Sequence, residues 1–121
     1  MSKKRFLEEN WRQDPVFEAL CKSFLVCRTR GEVADFLRDI GTLSELKAWS
    51  ERLEVASELK RGRSYRRIME DTGVSTATVT RVARFLEDGA GGYRRVLERR
   101  GIRRHHRSTS RGGVAGVVRR K

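Results

Sequence analysis

Patterns that start α-helices recur along this 121-residue chain, whereas the polar and apolar alternation typical of β-strands is nearly absent. Thr29–Glu32 and Thr42–Glu45 both fit the capping box, in which a hydroxyl and a carboxylate satisfy free amides of the first helical turn. Asp14 followed by Pro15 suits a cap and the first position of a helix. Apolar residues repeat at helical spacing after each start, and only one proline interrupts the chain. The sequence therefore predicts an all-α fold.

Glycines mark the ends of the predicted helices, which number six, four of them short. Gly41 ends the second helix, and Gly62 ends the third, which is the longest. The predicted apolar stripe of this third helix is Leu46, Trp49, Leu53, Ala56 and Leu59. We expect a helical domain over residues 14–100, an N-terminal segment over residues 1–13 and a disordered basic tail over residues 101–121.

The first two helices are rich in aromatic residues, with Phe17, Phe24 and Phe36 at helical spacing. Short helices are marginally stable alone, and these apolar faces are wide for so small a core. We therefore expect the chain to bury them against a second copy of itself, as a homodimer.

Residues 64–87 contain two short amphipathic runs separated by Gly73. A helix-turn-helix packs a short helix against a recognition helix through a tight turn that often contains glycine, because glycine tolerates a positive φ. The residues placed where the two helices would touch are Ile68, Val74, Val79 and Val82. Helix–glycine–helix patterns also occur by chance in small bundles, where the threonines of the second run would simply be solvated.

The opposite face of the second run carries short side chains and arginines. Threonine is a mediocre helix former, but its methyl and hydroxyl groups suit base edges in the major groove. We expect Thr76, Ala77 and Thr80 to read bases, because recognition helices lead with their N-terminal residues. Further contacts, to phosphate or guanine, are predicted for Arg66, Arg67, Arg81 and Arg84. The DNA-binding set also includes Ser64, which caps its helix or touches phosphate, and Ser75, which caps the second helix.

The chain carries a formal net charge of +12, an excess that favours polyanionic partners. Double-stranded DNA is the partner that the helix-turn-helix indicates. An anionic membrane surface is the second candidate from charge alone, although no apolar run approaches the ~20 residues of a membrane span. Residues 101–121 hold seven basic residues and no acidic one. We expect this tail to be a nucleic-acid-binding arm; a solubilising tail without a specific role is the alternative.

Few residues could support catalysis, a metal or a disulfide. Cys21 and Cys27 offer no disulfide framework and no Cys/His spacing for zinc. His105 and His106 lie in the basic tail, which cannot hold a catalytic geometry and offers at most a weak adventitious metal site. The N-terminus also lacks the apolar core of a signal peptide. We expect a cytoplasmic, nucleoid-associated protein that is not an enzyme and uses no cofactor or metal.

The segment LEVASELKRGRSYRRIMEDTGVSTATVTRVARFLEDGAGGYRRVLER, Leu53–Arg99, resembles the tryptophan repressor superfamily, and within it the YerC/YecD group of TrpR-related proteins. The motifs that carry the likeness are RLEVA, SYRRI, STATVTRV and GGYRRVLER. The resemblance extends more loosely to about Glu18 and does not cover the basic tail. It implies an all-helical fold, an intertwined homodimer and operator-type DNA binding.

The resemblance also implies a corepressor pocket between the long helix and the recognition helix. Its counterparts here are Thr42, Arg52 and Arg81. Two other pocket positions differ, because the repressor has a glycine where this chain has Val82 and a serine where it has Phe85. These two side chains would fill the indole site, so we do not expect this chain to bind tryptophan.

Other roles compete with a ligand pocket for the two arginines. Arg52 can form a salt bridge with Glu51, with Glu54 or with an acid across the dimer, and Arg81 can contact DNA or a neighbouring carboxylate. The residues leave open whether a small-molecule effector binds; if one does, two arginines favour a carboxylate group on it.

These observations predict a sequence-specific, DNA-binding transcriptional regulator, with repression implied by the resemblance. The dimer would place two recognition helices in successive major grooves. The alternative is a sequence-neutral nucleic-acid-binding or architectural protein that acts through its basic surface and tail. A third hypothesis is a protein-interaction module that kept the fold and lost DNA binding.

Overall fold

The computed structural model describes residues 6–104 and contains, within them, six α-helices, one turn of 3-10 helix at Trp11–Gln13 and no strand. The helices are α1 (Pro15–Val26), α2 (Arg30–Ile40), α3 (Leu43–Lys60), α4 (Tyr65–Thr72), α5 (Thr76–Asp88) and α6 (Gly92–Arg99). The predicted all-α class is confirmed. Most of the predicted basic tail, including the two histidines, lies outside the described residues.

The predicted helix starts are confirmed by their side-chain hydrogen bonds. The Asp14 carboxylate accepts from two amides of the first turn of α1, at 2.8 and 3.0 Å. Thr42 and Glu45 form a complete capping box, in which each side chain accepts a hydrogen bond from the other's amide. The Thr29 hydroxyl likewise accepts from the Glu32 amide, but the Glu32 carboxylate accepts from the amide that precedes Thr29. Local capping chemistry therefore sets where these helices begin.

The chain divides into two compact units, a first that extends to Leu46 and a second that starts at Lys47. In the first unit, α1 and α2 contain no fully buried residue. Their contact includes an edge-to-face pair between Phe24 and Phe36, with ring centroids 5.2 Å apart. Phe17 packs in the same manner against two aromatic rings that precede α1. The first unit is thus organised by aromatic pairs and has little core of its own.

The second unit has a continuous apolar core. Its buried apolar residues are Val55, Ala56, Ile68, Val74, Val79, Val82, Leu97 and Ile102. All four residues that were predicted to join the two runs around Gly73 are among them. Burial of this surface is the main favourable contribution to the stability of the unit.

One sequence expectation about the core needs correction, and one core residue was not predicted. Helix α3 buries Val55 beside Ala56, and Val55 lies outside the predicted stripe, whereas Trp49 in that stripe is 41% exposed. Ile102 also packs into the core, because the chain turns at Gly101 (φ 79°) after α6. The apolar core therefore reaches two residues past residue 100.

A carboxylate holds the connection between α3 and α4. Glu58, with a side chain only 14% exposed, lies 3.3 Å from Arg61 and 3.0 Å from Arg63. Gly62 between these arginines has a φ of 92°, which a side chain would strain. Ser64 then starts α4 by accepting a hydrogen bond from the Arg67 amide. This turn fixes the direction in which α4 leaves α3.

No described helix combines the length and apolar character needed to cross a bilayer.

We predict that Ile68→Ala destabilises the protein by about 2–5 kcal/mol, because Ile68 is fully buried and its loss leaves a cavity. Val96→Ala is the matched control: Val96 is 47% exposed, and its change should stay within about 0.5 kcal/mol. Urea denaturation at one fixed protein concentration measures both. Equal losses for the two variants would show that Ile68 is not a core residue.

Candidate nucleic-acid interface

A tight turn of three residues joins α4 to α5. Gly73 ends α4 with a φ of 80°, and its amide donates to the Met69 carbonyl. The Thr72 hydroxyl donates to the Ile68 carbonyl and accepts from the Val74 amide. The turn is therefore closed by its own hydrogen bonds, while Ile68 and Val74 insert their side chains into the core. It holds α5 at a fixed angle to α4.

The hydroxyls at the start of α5 have different partners. Ser75 accepts from the Thr78 amide at 3.1 Å, which confirms its role as a cap, and its own hydroxyl donates to that of Thr78. The Thr76 hydroxyl lies 3.3 Å from the sulfur of Met69 on α4. Thr80 is exposed. Thr76 and Thr80 are thus both exposed, but only Thr76 also contacts α4.

The residues predicted to read bases lie together on the outer surface of α5. Thr76, Ala77 and Thr80 are all exposed, whereas Val79 and Val82 on the opposite side of the helix are fully buried. Because buried valines fix the rotation of α5 about its axis, the exposed positions are fixed as well. Short side chains there allow another molecule to approach the helix closely.

The arginines predicted to meet phosphate on α4 are already paired. Arg66 contacts Glu70 at 3.2 Å and Arg67 contacts Asp71 at 3.0 Å, each one helical turn further on. Both pairs are exposed, so each stabilises the helix by little and can exchange its carboxylate for another anion. Sequence reasoning missed these pairs, although their i, i+4 spacing is a known signal. They leave the outer face of α4 close to neutral.

The arginines of α5 differ from those of α4. The Arg81 guanidinium lies 4.8 Å from the centre of the Phe85 ring, a cation–π contact. Arg84 is exposed. Neither is ion-paired with a carboxylate of residues 6–104. The exposed face of α5 therefore keeps its positive charge.

Arg52 and Arg81, two of the three predicted pocket residues, line a cleft of about 290 Å³ in the second unit. The other lining residues are Val82, Phe85, Ala90, Gly92 and Tyr93. Thr42 belongs to the first unit, where its hydroxyl caps α3.

The predicted salt bridge of Arg52 with Glu51 or Glu54 is not formed among the described residues, and Glu51 pairs with Lys47 instead. Burial raises the pKa of Tyr93, and the nearby Arg52 and Arg81 partly oppose that rise. The phenol therefore stays neutral at pH 7 and keeps its proton available for a hydrogen bond.

A wider cleft of about 780 Å³ lies along α5 and includes Thr80 and Arg84 in its wall. Its remaining lining residues are Leu59, Lys60, Tyr65, Ala83, Leu86, Glu87, Arg94 and Arg104. Sequence reasoning did not assign this cleft, because it is built from four helices and the segment after α6.

Groups suited to metal binding are absent from the described part of the chain, where no three His, Cys, Asp or Glu side chains cluster. Cys21 and Cys27 are free thiols on α1 and at its end.

The helix order and the closely joined α4–α5 pair define the class of small all-helical proteins built like the tryptophan repressor. The chain belongs to that family: residues 16–101 match the family model described as Trp repressor protein. Members of this family are generally DNA-binding regulators and not enzymes. The family resemblance seen in the sequence is confirmed.

Individual relatives agree with this assignment. The uncharacterized protein YerC of Bacillus subtilis is 38% identical over 82 residues, which is 68% of this chain and 79% of YerC. A TrpR-like protein from Eubacterium eligens, solved by crystallography, is 40% identical with a TM-score of 0.74 over 78% of this chain and 97% of its own. A candidate Trp repressor from Staphylococcus aureus is 32% identical with a TM-score of 0.75, over 81% and 98% of the two chains.

We predict that Gly73→Ala destabilises the protein by about 1–2 kcal/mol, because a side chain is strained in the left-handed region that Gly73 occupies. No atom lies within 4 Å of a Cβ added at Gly73, so the loss would report backbone strain and not a clash. Gly92→Ala is the control, because a Cβ there also meets open space and alanine favours the helix that Gly92 begins. Thermal denaturation that shifts equally in both variants would contradict the assigned turn.

Proposed function

We propose that this protein is a homodimeric transcriptional regulator, a repressor, which reads a specific DNA sequence in the major groove with α4 and α5 as a helix-turn-helix. The observation that carries the proposal is the outer face of α5. It presents Thr76, Ala77 and Thr80 beside arginines without carboxylate partners in the described chain, and Val79 and Val82 anchor it from behind. The family assignment supports DNA binding in general.

In the proposed complex, α5 enters the groove with its N-terminal residues against base edges. The methyl groups of Thr76, Ala77 and Thr80 contact thymine methyls, and the Thr80 hydroxyl reaches a base edge or phosphate. Arg84 pairs with a guanine or holds phosphate, and Arg81 contributes positive charge beside it. The hydroxyl of Thr76 keeps α5 against Met69 of α4, so reading at this position relies on its methyl group.

The proposed contacts from α4 to DNA use the two arginines that now form ion pairs on this helix. Arg66 and Arg67 would turn from Glu70 and Asp71 to backbone phosphates, at low cost because the pairs are exposed. Ser64 and Ser75 serve mainly by starting the two helices. The caps thus position the two helices. Arg66 and Arg67 would hold them on the DNA backbone once these arginines have exchanged their carboxylate partners for phosphates.

The homodimer is supported by apolar surface in the first unit. Val16, Leu25 and Val26 are 80%, 84% and 74% exposed on α1. Protein interfaces cover exposed apolar side chains such as these, and in the proposed dimer a second copy of the chain would do so. Two recognition helices related by a two-fold axis then meet half-sites about 34 Å apart. The preferred DNA sequence should accordingly be close to palindromic.

The rival proposal is sequence-neutral binding through charge, favoured by the net charge of +12 and the seven basic residues after residue 100. We propose that the tail adds affinity without sequence preference to a core that reads bases. The protein would then act in the cytoplasm on the nucleoid. Tryptophan is not proposed as an effector, because Phe85 and Val82 share the cleft with both arginines.

We predict that Arg84→Ala weakens binding to the preferred duplex by about 1–3 kcal/mol if Arg84 pairs with a guanine. Binding to an unrelated duplex should then change little, so the ratio of specific to non-specific affinity falls. Fluorescence anisotropy on both duplexes at fixed salt measures the ratio, and Arg95→Ala on the outer surface of α6 is the control. Unchanged affinity for both duplexes would remove Arg84 from the interface.

A further inference from the structure

The wide cleft along α5 gathers positive charge from distant parts of the chain. Lys60 ends α3, Arg84 lies on α5, Arg94 lies on α6 and Arg104 follows α6. Glu87 is the single acidic residue in the wall. None of the four cations is ion-paired with a carboxylate of residues 6–104. This cleft differs in that respect from the surface of α4.

One of these cations is held by a neutral hydrogen bond, and another lies against a neighbouring turn. The Arg94 guanidinium donates to the Leu86 carbonyl at 3.1 Å, near the end of α5. Arg104 lies across the α3–α4 turn, where a Cβ at Gly62 would be 3.5 Å from its Nε atom. The hydrogen bond to Leu86 positions the Arg94 guanidinium without neutralising it. Arg94 is therefore partly ordered before any ligand arrives.

The neutral groups of the wall also suit a phosphate. Tyr65, 43% exposed, offers a phenol at the start of α4, and Thr80 offers a hydroxyl from α5. Guanidinium and hydroxyl donors are the groups that proteins direct at phosphate oxygens. An opening of about 780 Å³ admits a phosphodiester with its sugars. A carboxylate-bearing effector would need fewer cations than this wall supplies.

The position of the cleft connects it to the proposed recognition surface. Thr80 and Arg84 lie one helical turn apart and belong both to the cleft wall and to the exposed face of α5. A phosphate in the cleft would therefore lie directly beside the bases that α5 contacts. The position beside α5 therefore favours a DNA phosphate over a free phosphate compound as the ligand of the cleft.

We infer that this cleft grips a backbone phosphate of the bound DNA, with Lys60 and Arg104 supplying contacts outside the helix-turn-helix. The inference rests on the proposed function, because it assumes that α5 lies in the major groove. It gives a principal backbone contact to the cleft, whereas Arg66 and Arg67 must first leave their carboxylates. The cleft thereby sets how far α5 enters the groove.

The test compares the salt dependence of DNA affinity for two double variants of the full chain. Lys60→Gln with Arg104→Gln should lower the slope of log K against log salt by up to about 0.9, the contribution of one phosphate contact. Arg95→Gln with Arg99→Gln removes the same charge from exposed positions of α6 outside the cleft and should leave the slope unchanged. Arg104→Lys keeps the charge and should retain the wild-type slope. Melting temperatures establish that each variant is folded.

Glu87→Gln provides a change in the opposite direction. Removing the acid from the cleft wall should tighten binding about two- to fivefold on any duplex, the size expected for an exposed charge interaction. A weaker or unchanged affinity would contradict a phosphate near Glu87.

The possible outcomes distinguish failure of the cleft inference from failure of the proposed function. If the wild type prefers one DNA sequence but the cleft double variant keeps its slope, the cleft inference is overturned and the function stands. If the slope falls only in the cleft variant while no sequence is preferred, the cleft holds phosphate and the proposed sequence reading is wrong. An equal decrease of the slope in both double variants would show that DNA affinity follows the total charge of the protein. That result would overturn the cleft inference. Titration with pyrophosphate that gives heat only with an intact cleft, alongside an unchanged DNA slope, would overturn it in favour of a free ligand.

Discussion

The packing of α4 against α5 is the constraint on which the rest of the second unit depends. Ile68 from α4 meets Val79 and Val82 of α5 in a core without solvent access. This burial fixes the rotation of α5, and the rotation decides which of its residues face outward. The left-handed turn at Gly73 fixes the angle between the two helices. The outward position of the short side chains and of the arginines that lack carboxylate partners among residues 6–104 is therefore a consequence of apolar packing on the other side of α5.

The basic residues of the second unit fall into two groups, those paired with carboxylates and those without such partners in the described chain. Glu58 neutralises both arginines of the α3–α4 turn, and acids one helical turn away neutralise Arg66 and Arg67 on α4. The basic residues on α5 and around the wide cleft have no such partners in the described chain. A net charge of +12 thus acts unevenly, with part of it stabilising the fold and part of it free to attract a polyanion. This division leaves the exposed cations of α5 and the wide cleft available for the proposed DNA contact, while Glu58 holds the α3–α4 turn.

Much of the fold could be predicted from the sequence, because capping chemistry and glycine turns are local. Interactions between distant residues could not. The face of α3 was misjudged because Val55 and Ala56 are adjacent, so apolar spacing alone allows more than one rotation of the helix. Ile102 stands alone among basic residues and gives no periodic signal. The bond from Thr76 to Met69 and the cations of the wide cleft depend on tertiary packing, which spacing along one helix does not encode.

Selection from random DNA duplexes at physiological salt, followed by sequencing, tests the central claim most directly. Sequence reading by a dimer predicts enrichment of a two-fold symmetric motif with half-sites about one helical turn apart. Affinity for that motif should exceed affinity for unrelated DNA by roughly 10³-fold or more. Recovery of duplexes without an enriched motif would contradict the account, because binding would then depend on charge and not on the face of α5.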